Sequence, residues 1–271
     1  MHPRAESAPL SLVLVAGLVL AASPGGCSAT GAGSEAQPPG RLVSFDTRFE
    51  LRLSTLEDGP SRSLRVAVLV EPLDGLPLEV APADGESAGL LELRVRWQDF
   101  GAAPASVGRT TQVVLPWSVA GLARPGAPLV LSTTVALGEP GEALARRVTV
   151  EGRVIGIELL RDDLRSGGLL RSLPAVQLEM TALPPAGSLE RHLAEGDPEG
   201  IFLAAAAVSG ATERREEVLG RLIEALPDSG GAAREALFGA LLFLTGETHG
   251  RDTWRWTNWW RERSRLEQAA R

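Results

Sequence analysis

The chain of 271 residues contains no lysine and no tyrosine, a single asparagine, one cysteine and three histidines. Because Cys27 is the only cysteine, no intramolecular disulfide can form, and packing alone has to stabilise the fold. The few histidines leave little material for a metal site or a catalytic base. The sequence also lacks HExxH, GxGxxG and Walker-type motifs, which argues against the common metalloprotease, dinucleotide and P-loop chemistries.

All 27 basic residues are therefore arginine, and 34 acidic residues give the chain a net charge of −7. The scarcity of lysine, tyrosine and asparagine beside abundant alanine, glycine and leucine is typical of a GC-rich coding sequence. The arginines are thus no sign of phosphate binding in themselves. Because nucleic-acid binding needs clustered positive charge, the acidic balance argues against a nucleic-acid partner.

The N-terminal part begins with an apolar run over residues 10–22. This run is too short for a comfortable transmembrane helix and has the length of a signal-peptide core. Behind it, the sequence GGC at 25–27 resembles the lipobox of bacterial lipoprotein signals, with Pro24 in place of the usual aliphatic residue. The resemblance implies that residues 1–26 are a signal peptide and that Cys27 becomes diacylated. An ordinary secretory signal or a signal anchor is the alternative.

The next segment, SATGAGSEAQPPG over residues 28–40, is small, polar and rich in proline and glycine, with nothing to bury. This composition is typical of a flexible tether. A random coil of this length spans on the order of 20 Å. We therefore expect a lipidated cysteine and a tether over 27–40, with the folded body beyond it.

A period of two dominates the chain from residue 42 to about 183. Apolar residues alternate with polar ones, as in LELRVRW at 91–97, which is the pattern of half-buried strands. Turn sequences such as EDGPS and LGEPGE separate these runs. About seven short strands without intervening helices predict an antiparallel β-sandwich over 41–184. The predicted inward residues are Val43, Phe45, Phe49, Leu51, Leu53, Leu64, Val66, Val68, Val70, Leu91, Leu93, Val95, Trp97, Val113, Leu115, Trp117, Leu129, Leu131, Thr133, Val135, Val148, Val150, Ile155, Ile157, Leu159, Val176, Leu178 and Met180.

The inward parity of these residues changes once, within RVTVEGRVIGIELL. Even-numbered positions point inward up to Val150, and odd-numbered positions do so from Ile155 onward. Such a change requires an extra residue in the strand or an interruption of it. A β-bulge or a break is therefore expected between Gly152 and Gly156.

Beyond residue 185 the apolar period becomes that of a helix. Asp197 and Asp252 are predicted to cap the first and the last of four consecutive helices. Short loops join the helices, which favours two antiparallel hairpins. The four helical segments are 197–210, 213–227, 231–246 and 253–268.

The end of this helical part resembles the terminal motif of bacterial HEAT-repeat proteins. The resemblance covers only residues 197–262, and it implies a short, all-α HEAT-like domain over 185–271 that closes with a tryptophan-bearing helix. Two hairpins are fewer than the three repeats that a free solenoid needs, so support from the β-domain or a partner is expected. The matching residues are Leu244, Thr245, Gly246, Gly250, Asp252, Trp256, Trp259 and Trp260.

The last predicted helix contains four of the six tryptophans and allows three interpretations. In the first, the indoles at 256, 259 and 260 share one helical face and pack on the preceding hairpin as a cap. In the second, the helix binds a membrane surface, because residues 251–271 contain six arginines against three carboxylates. In the third, exposed indoles stack on sugar rings or enter a groove of a partner. The candidate binding surface comprises Trp254, Trp256, Trp259, Trp260, Arg255 and Arg261, of which Trp254 is expected to be exposed in every case.

Two catalytic or metal-binding patterns are much weaker. Ser87 lies in GESAG and matches the nucleophile motif GxSxG, but a strand follows it where the hydrolase elbow requires a helix. A Gly-rich hairpin loop explains this sequence more simply. Glu190, His192 and Glu195, with His249, could offer metal ligands, and a solvated helix edge explains them more simply.

The sequence therefore predicts a non-enzymatic binding or scaffold protein, lipid-anchored and extracytoplasmic in the bacterial cell envelope. Its expected partners are the membrane, reached through the anchor, and a protein of the envelope. Neither a cofactor nor a catalytic residue nor a metal site is expected. The alternatives are membrane-surface or carbohydrate binding through the C-terminal helix, and a serine hydrolase that uses Ser87.

Overall fold

The computed structural model describes residues 41–56, 59–83, 89–101, 108–117, 119–183 and 186–269. Strands come first and helices follow, as the sequence predicts. The proposed signal peptide, Cys27 and the tether lie outside the described residues. The strands are β1 (Arg41–Leu42), β2 (Thr47–Thr55), β3 (Ser63–Pro72), β4 (Leu78–Pro82), β5 (Leu90–Phe100), β6 (Arg109–Pro116), β7 (Gly121–Ala123), β8 (Leu129–Ala136), β9 (Ala145–Arg161), β10 (Leu164–Arg165) and β11 (Leu169–Thr181). The helices are α1 (Leu189–Glu195), α2 (Pro198–Ala206), α3 (Thr212–Ala225), α4 (Gly231–Thr245) and α5 (Thr253–Ala269).

The strands form two sheets that share one hydrophobic core. One sheet has the order β2-β3-β8, and the other contains the remaining eight strands around β9. All strand pairs of the described residues are antiparallel except β1 with β10. The core draws alternate residues from both sheets, such as Val68 of β3 and Val95 of β5, each fully buried. Every apolar residue predicted to point inward belongs to this core except Ile155.

The 17-residue strand β9 organises the larger sheet. Its first part pairs with β5 on one side and β11 on the other, and its last part pairs with β4 and β10. Strands that are far apart in the sequence therefore meet on a single segment of chain.

The predicted irregularity in β9 is confirmed and lies at Gly156. Val154 is fully buried and Ile157 is the next buried residue, so the parity changes across the two residues between them. Gly156 has φ +66°, and the register with β11 shifts at the same place. The prediction that Ile155 points inward is wrong because the extra residue comes after it, and Val154 takes that place.

One end of the shared core is closed by a buried ion pair. Arg146 of β9 is fully buried and faces Asp99 of β5, its partner in the ladder register. The guanidinium donates to both carboxylate oxygens, through Nε at 2.5 Å and a terminal nitrogen at 3.0 Å. The other terminal nitrogen donates to the carbonyls of Ser61 at 2.7 Å and Gly138 at 2.9 Å. The pair thus joins two strands to two connecting loops.

The helices have a second hydrophobic core, which includes Phe100 and Ala145 from the strands. Phe243 of α4 meets the Phe100 ring edge-on, with centroids 5.1 Å apart. The Arg147 guanidinium lies over both rings, donates to the carbonyl of Phe243 and pairs with Glu179 at 2.8 Å. Strands and helices belong to one compact unit, and α4 contacts the sheet through Phe243.

The helix count differs from the prediction because of α1. This seven-residue helix begins at Ser188, whose hydroxyl accepts from the backbone N–H of Arg191, and ends at Gly196 in a left-handed conformation. Its length gives too few positions for a helical period to be recognised. None of the helices in the described part of the chain is long and apolar enough to cross a lipid bilayer.

Candidate functional site

Helix α5 begins as predicted at Asp252. The Asp252 carboxylate accepts from the backbone N–H groups of Trp254 at 3.0 Å and Arg255 at 3.2 Å. These contacts satisfy donors that the first turn of a helix leaves unpaired. The cap fixes where the helix starts and therefore which indoles point toward the protein.

Among the four tryptophans of α5, Trp256 is the one that is fully buried. Its side chain is 1% exposed and belongs to the helical core. The indole N–H donates to the carbonyl of Gly250 at 3.0 Å, and the His249 ring meets it edge-on at a centroid distance of 4.7 Å. Trp256 is therefore a core residue, as the first of the three interpretations expects for it.

Trp259 and Trp260 lie beside it at the margin of the helical core and are half-buried. Trp259 meets the Trp256 ring edge-on at 5.7 Å, and the Arg263 guanidinium lies 5.5 Å from the Trp259 ring centroid. Arg263 also pairs with Glu216 of α3 at 2.5 Å. The inner face of α5 is therefore fixed on α3 by aromatic packing and a cross-helix ion pair.

The opposite face of α5 carries the exposed residues. Trp254 is 69% exposed, as expected from its place off the aromatic stripe. Asn258, Arg261 and Arg265 follow it at i+4, i+7 and i+11, so all four lie along one line of the helix. Arg255 stands beside this line, largely exposed, with Asp252 at 3.4 Å. We call this set, Trp254, Arg255, Asn258, Arg261 and Arg265, the outer face of α5.

The structure thus separates the six residues of the candidate surface. It brings Trp254, Arg255 and Arg261 together in solvent, and it places Trp256 in the core and Trp259 and Trp260 at its margin. Arg265 was missed in the sequence analysis. Its helical spacing of eleven residues from Trp254 was the signal that could have identified it.

Conservative replacements should separate the buried from the exposed indole. Trp256→Phe removes part of a buried ring and the hydrogen bond to Gly250, so we expect a loss of about 1–2 kcal/mol in the free energy of unfolding. Trp254→Phe should change it by less than about 0.5 kcal/mol. Urea denaturation followed by circular dichroism measures both. Equal losses from the two variants would contradict the division of α5 into an inner and an outer face.

His192, one of the residues weighed as metal ligands, is engaged in the helix packing, whereas Glu190 and Glu195 are exposed. His192 is buried, and its Nδ1 lies 3.0 Å from the Asp197 carboxylate. The pKa of Asp197 is lowered from its ordinary value, chiefly because the backbone N–H of Gly200 faces the carboxylate, and His192 adds to this effect. Asp197 caps α2 by position, but no side-chain capping hydrogen bond is formed. In the described part of the chain, no three His, Cys, Asp or Glu side chains are grouped for a metal ion.

The remaining candidates can be placed as follows. Ser87 lies outside the described residues, and its hydrolase role stays a prediction. The two tryptophans of the β-domain, Trp97 and Trp117, are 9% and 2% exposed, so neither can stack on a sugar ring. They are core residues, and Trp254 is the tryptophan that remains accessible for stacking.

A shallow groove of about 430 Å³ lies on the larger sheet. It crosses β5, β6, β9 and β11, and ion pairs line it, among them Arg153 with Glu92 at 2.9 Å. Gly152 lies in its floor, where an added Cβ would come within 3.1 Å of Leu93 and Leu173. The groove is polar and its charges are largely balanced, so it offers no single recognised chemistry.

No protein-family model matches the sequence, and no curated protein matches it. Among solved structures, the chain is similar to the structural genomics target SoR45, at 13% identity over 52% of this chain and 90% of that chain, with a TM-score of 0.27. It is similar to the putative ApaA protein from Bordetella pertussis at 12% identity, over 52% and 98% of the two chains, with a TM-score of 0.27. It is similar to Spo0M, a sporulation control protein from Bacillus subtilis, at 11% identity over 57% of this chain and 55% of that chain, with a TM-score of 0.26. At such TM-scores the likeness assigns neither a family nor a function.

Proposed function

We propose that this chain is a non-enzymatic binding protein, tethered to a membrane of the bacterial cell envelope and facing away from the cytoplasm. In this proposal the two sheets are the layers of a β-sandwich, and the helices form a short HEAT-like array that ends at α5. The outer face of α5 is the binding surface. The body acts as a rigid support for that surface, held near the membrane by residues 27–40.

The exposure of Trp254 is the observation that supports this proposal most directly. Tryptophan and arginine are enriched among the residues that dominate binding energy at interfaces. Trp254 is 69% exposed on a helix whose opposite side is fixed by the buried Trp256, and Arg255 and Arg261 flank it. A surface that is rigid before binding loses little conformational entropy when a partner docks.

Site-specific photo-cross-linking in living bacteria tests the binding surface. Benzoylphenylalanine in place of Trp254 should give covalent adducts of defined mass. The matched control is the same replacement at Leu170 of β11, which has a similar exposed fraction of 66%. Adducts at 254 and not at 170 are expected. An absence of adducts at 254, with protein and with lipid alike, would contradict the proposed function.

The tether gives a separate prediction about Cys27, supported by the lipobox-like sequence at 25–27. Two acyl chains anchor a protein stably, whereas one chain gives only reversible binding. Cys27→Ala should therefore abolish incorporation of labelled palmitate and move the folded body from the membrane to the soluble fraction. Ser28→Ala is the control and should change neither result. Palmitate labelling that survives Cys27→Ala would overturn the lipid anchor.

A further inference from the structure

The outer face of α5 combines one exposed indole with unpaired positive charge. Arg261 and Arg265 are both exposed, and no carboxylate of the described residues forms an ion pair with either. Glu262 is the acidic neighbour on this side, and it accepts a hydrogen bond from the Asn258 amide at 3.2 Å. The line from Trp254 to Arg265 is eleven residues long, about 16 Å of helix. The indole stands at one end of this line and the two guanidinium groups stand toward the other, one helical turn apart.

This arrangement suits a flat anionic surface. Indole rings settle at the boundary between water and hydrocarbon, since they have a large apolar body and one N–H donor. Arginine side chains extend their aliphatic stems along such a boundary and keep the guanidinium groups among the headgroups.

We infer that the outer face of α5 docks on the headgroup layer of an anionic bilayer. The inference rests on the proposed function, since it names the partner of the surface proposed there. Trp254 enters the interfacial layer, and Arg261 and Arg265, with Arg255 beside them, contact lipid phosphates. Charge complementarity selects this partner: an anionic bilayer is a continuous sheet of negative charge, and Arg261 and Arg265 present two guanidinium groups side by side on one face.

The expected strength of binding between α5 and the bilayer indicates what this contact does. Each arginine near an anionic surface strengthens binding about fivefold. Two or three arginines with one indole are too few to hold a soluble protein on a membrane, but they suffice to orient a body that an anchor already keeps nearby. Docking of α5 would set which side of the β-domain faces away from the bilayer.

Fluorescence of Trp254 in reconstituted vesicles tests the inference. The full chain is placed in vesicles of brominated phosphatidylglycerol or of brominated phosphatidylcholine, both of which quench an indole that touches lipid. The signal of Trp254 is the difference between the unmodified chain and Trp254→Phe. We expect this signal to be quenched in the anionic vesicles and largely spared in the neutral ones.

Charge variants provide the matched comparison. Arg261→Gln with Arg265→Gln should lower the ratio of docked to undocked protein about 30-fold and restore the Trp254 signal. Arg214→Gln with Arg221→Gln removes the same charge from the exposed side of α3 and should leave the quenching unchanged.

Three outcomes would overturn the inference: an unquenched Trp254 signal in anionic vesicles, equal quenching in neutral ones, or equal effects of the two double variants. Photo-cross-linking at position 254 then distinguishes a failure of the bilayer inference from a failure of the proposed function. Protein adducts there, without lipid contact, would retain the binding surface and replace its partner. An absence of both lipid contact and adducts would end the proposed function as well.

Discussion

Replacing Arg146 by methionine should lower the free energy of unfolding by about 3–5 kcal/mol, the cost of removing one side of a buried ion pair. Methionine fills much of the volume of the arginine stem but donates no hydrogen bond. Asp99 loses both guanidinium contacts, and the carbonyls of Ser61 and Gly138 lose their donors. Because domains of this kind are stable by roughly 5–15 kcal/mol, the variant should be close to unfolding.

Urea denaturation measures this loss, and two further variants test whether the buried ion pair is its cause. Arg153 lies on the same strand and pairs with Glu92 at the surface, with its side chain 60% exposed. Arg153→Met should therefore lower the free energy of unfolding by less than about 1 kcal/mol. Asp99→Leu combined with Arg146→Met removes both charges and should be more stable than Arg146→Met alone. If Arg146→Met unfolded at the same urea concentration as Arg153→Met, the ion pair would not be what closes the core.

The second large effect is expected at Gly239, where α4 approaches the sheet. A Cβ at this buried position would lie 2.9 Å from the carbonyl oxygen of Gly101, a backbone atom, so the helix or the chain at Gly101 would have to shift. Gly239→Ala should cost about 1–3 kcal/mol, and Gly239→Leu should exceed that range, since the helix would have to leave the sheet. Helix propensity favours both replacements by up to about 1 kcal/mol, so a loss must come from the contact.

Gly220 of α3 is the matched control for Gly239. It is also a glycine within a helix, but an added Cβ would lie 3.4 Å from the Trp260 ring, in ordinary contact. Gly220→Ala should therefore stabilise the protein by about 0.5–1 kcal/mol. Thermal and urea unfolding of the two alanine variants should thus change in opposite directions. Changes of the same sign would show that the α4 contact with Gly101 can relax.

The alternation of apolar and polar residues predicted most of the core, because a strand with one buried face has an apolar residue at every second position. The run Leu64, Val66, Val68 and Val70 points inward throughout β3. Strands β4 and β7 were missed because Leu78–Pro82 and Gly121–Ala123 are too short to establish a period. Their pairing is decided by tertiary contacts, which local propensity does not record.

The buried ion pair could have been predicted from the same alternation. Asp99 continues the inward positions Leu93, Val95 and Trp97, and Arg146 precedes Val148 by two residues. Two opposite charges at inward positions indicate a pair within the core. What the sequence cannot supply is the register that places them opposite each other.

The sequence predicted which tryptophans and arginines of α5 form the candidate surface, but not which of them are buried and which are exposed. Helical spacing placed Trp256, Trp259 and Trp260 on one face, and burial then decided which face is inside. That decision depends on the contact of α5 with α3, including the Arg263 pair with Glu216, which joins residues 47 positions apart. Long-range contacts of this kind leave no trace in a local pattern.

The position of β9 in the chain has a consequence for how the protein folds. Strands β4 and β5 come before it and β10 and β11 after it, so none of these four can complete its pairing until residues 145–161 are available. Sheets that depend on such distant partners fold on the order of milliseconds to seconds, because loop closure precedes the gain from contact. A chain emerging from one end would expose unpaired strand edges until β9 arrives. Substitutions that disturb Gly156 should therefore act on yield through misassembly, even where the finished fold tolerates them.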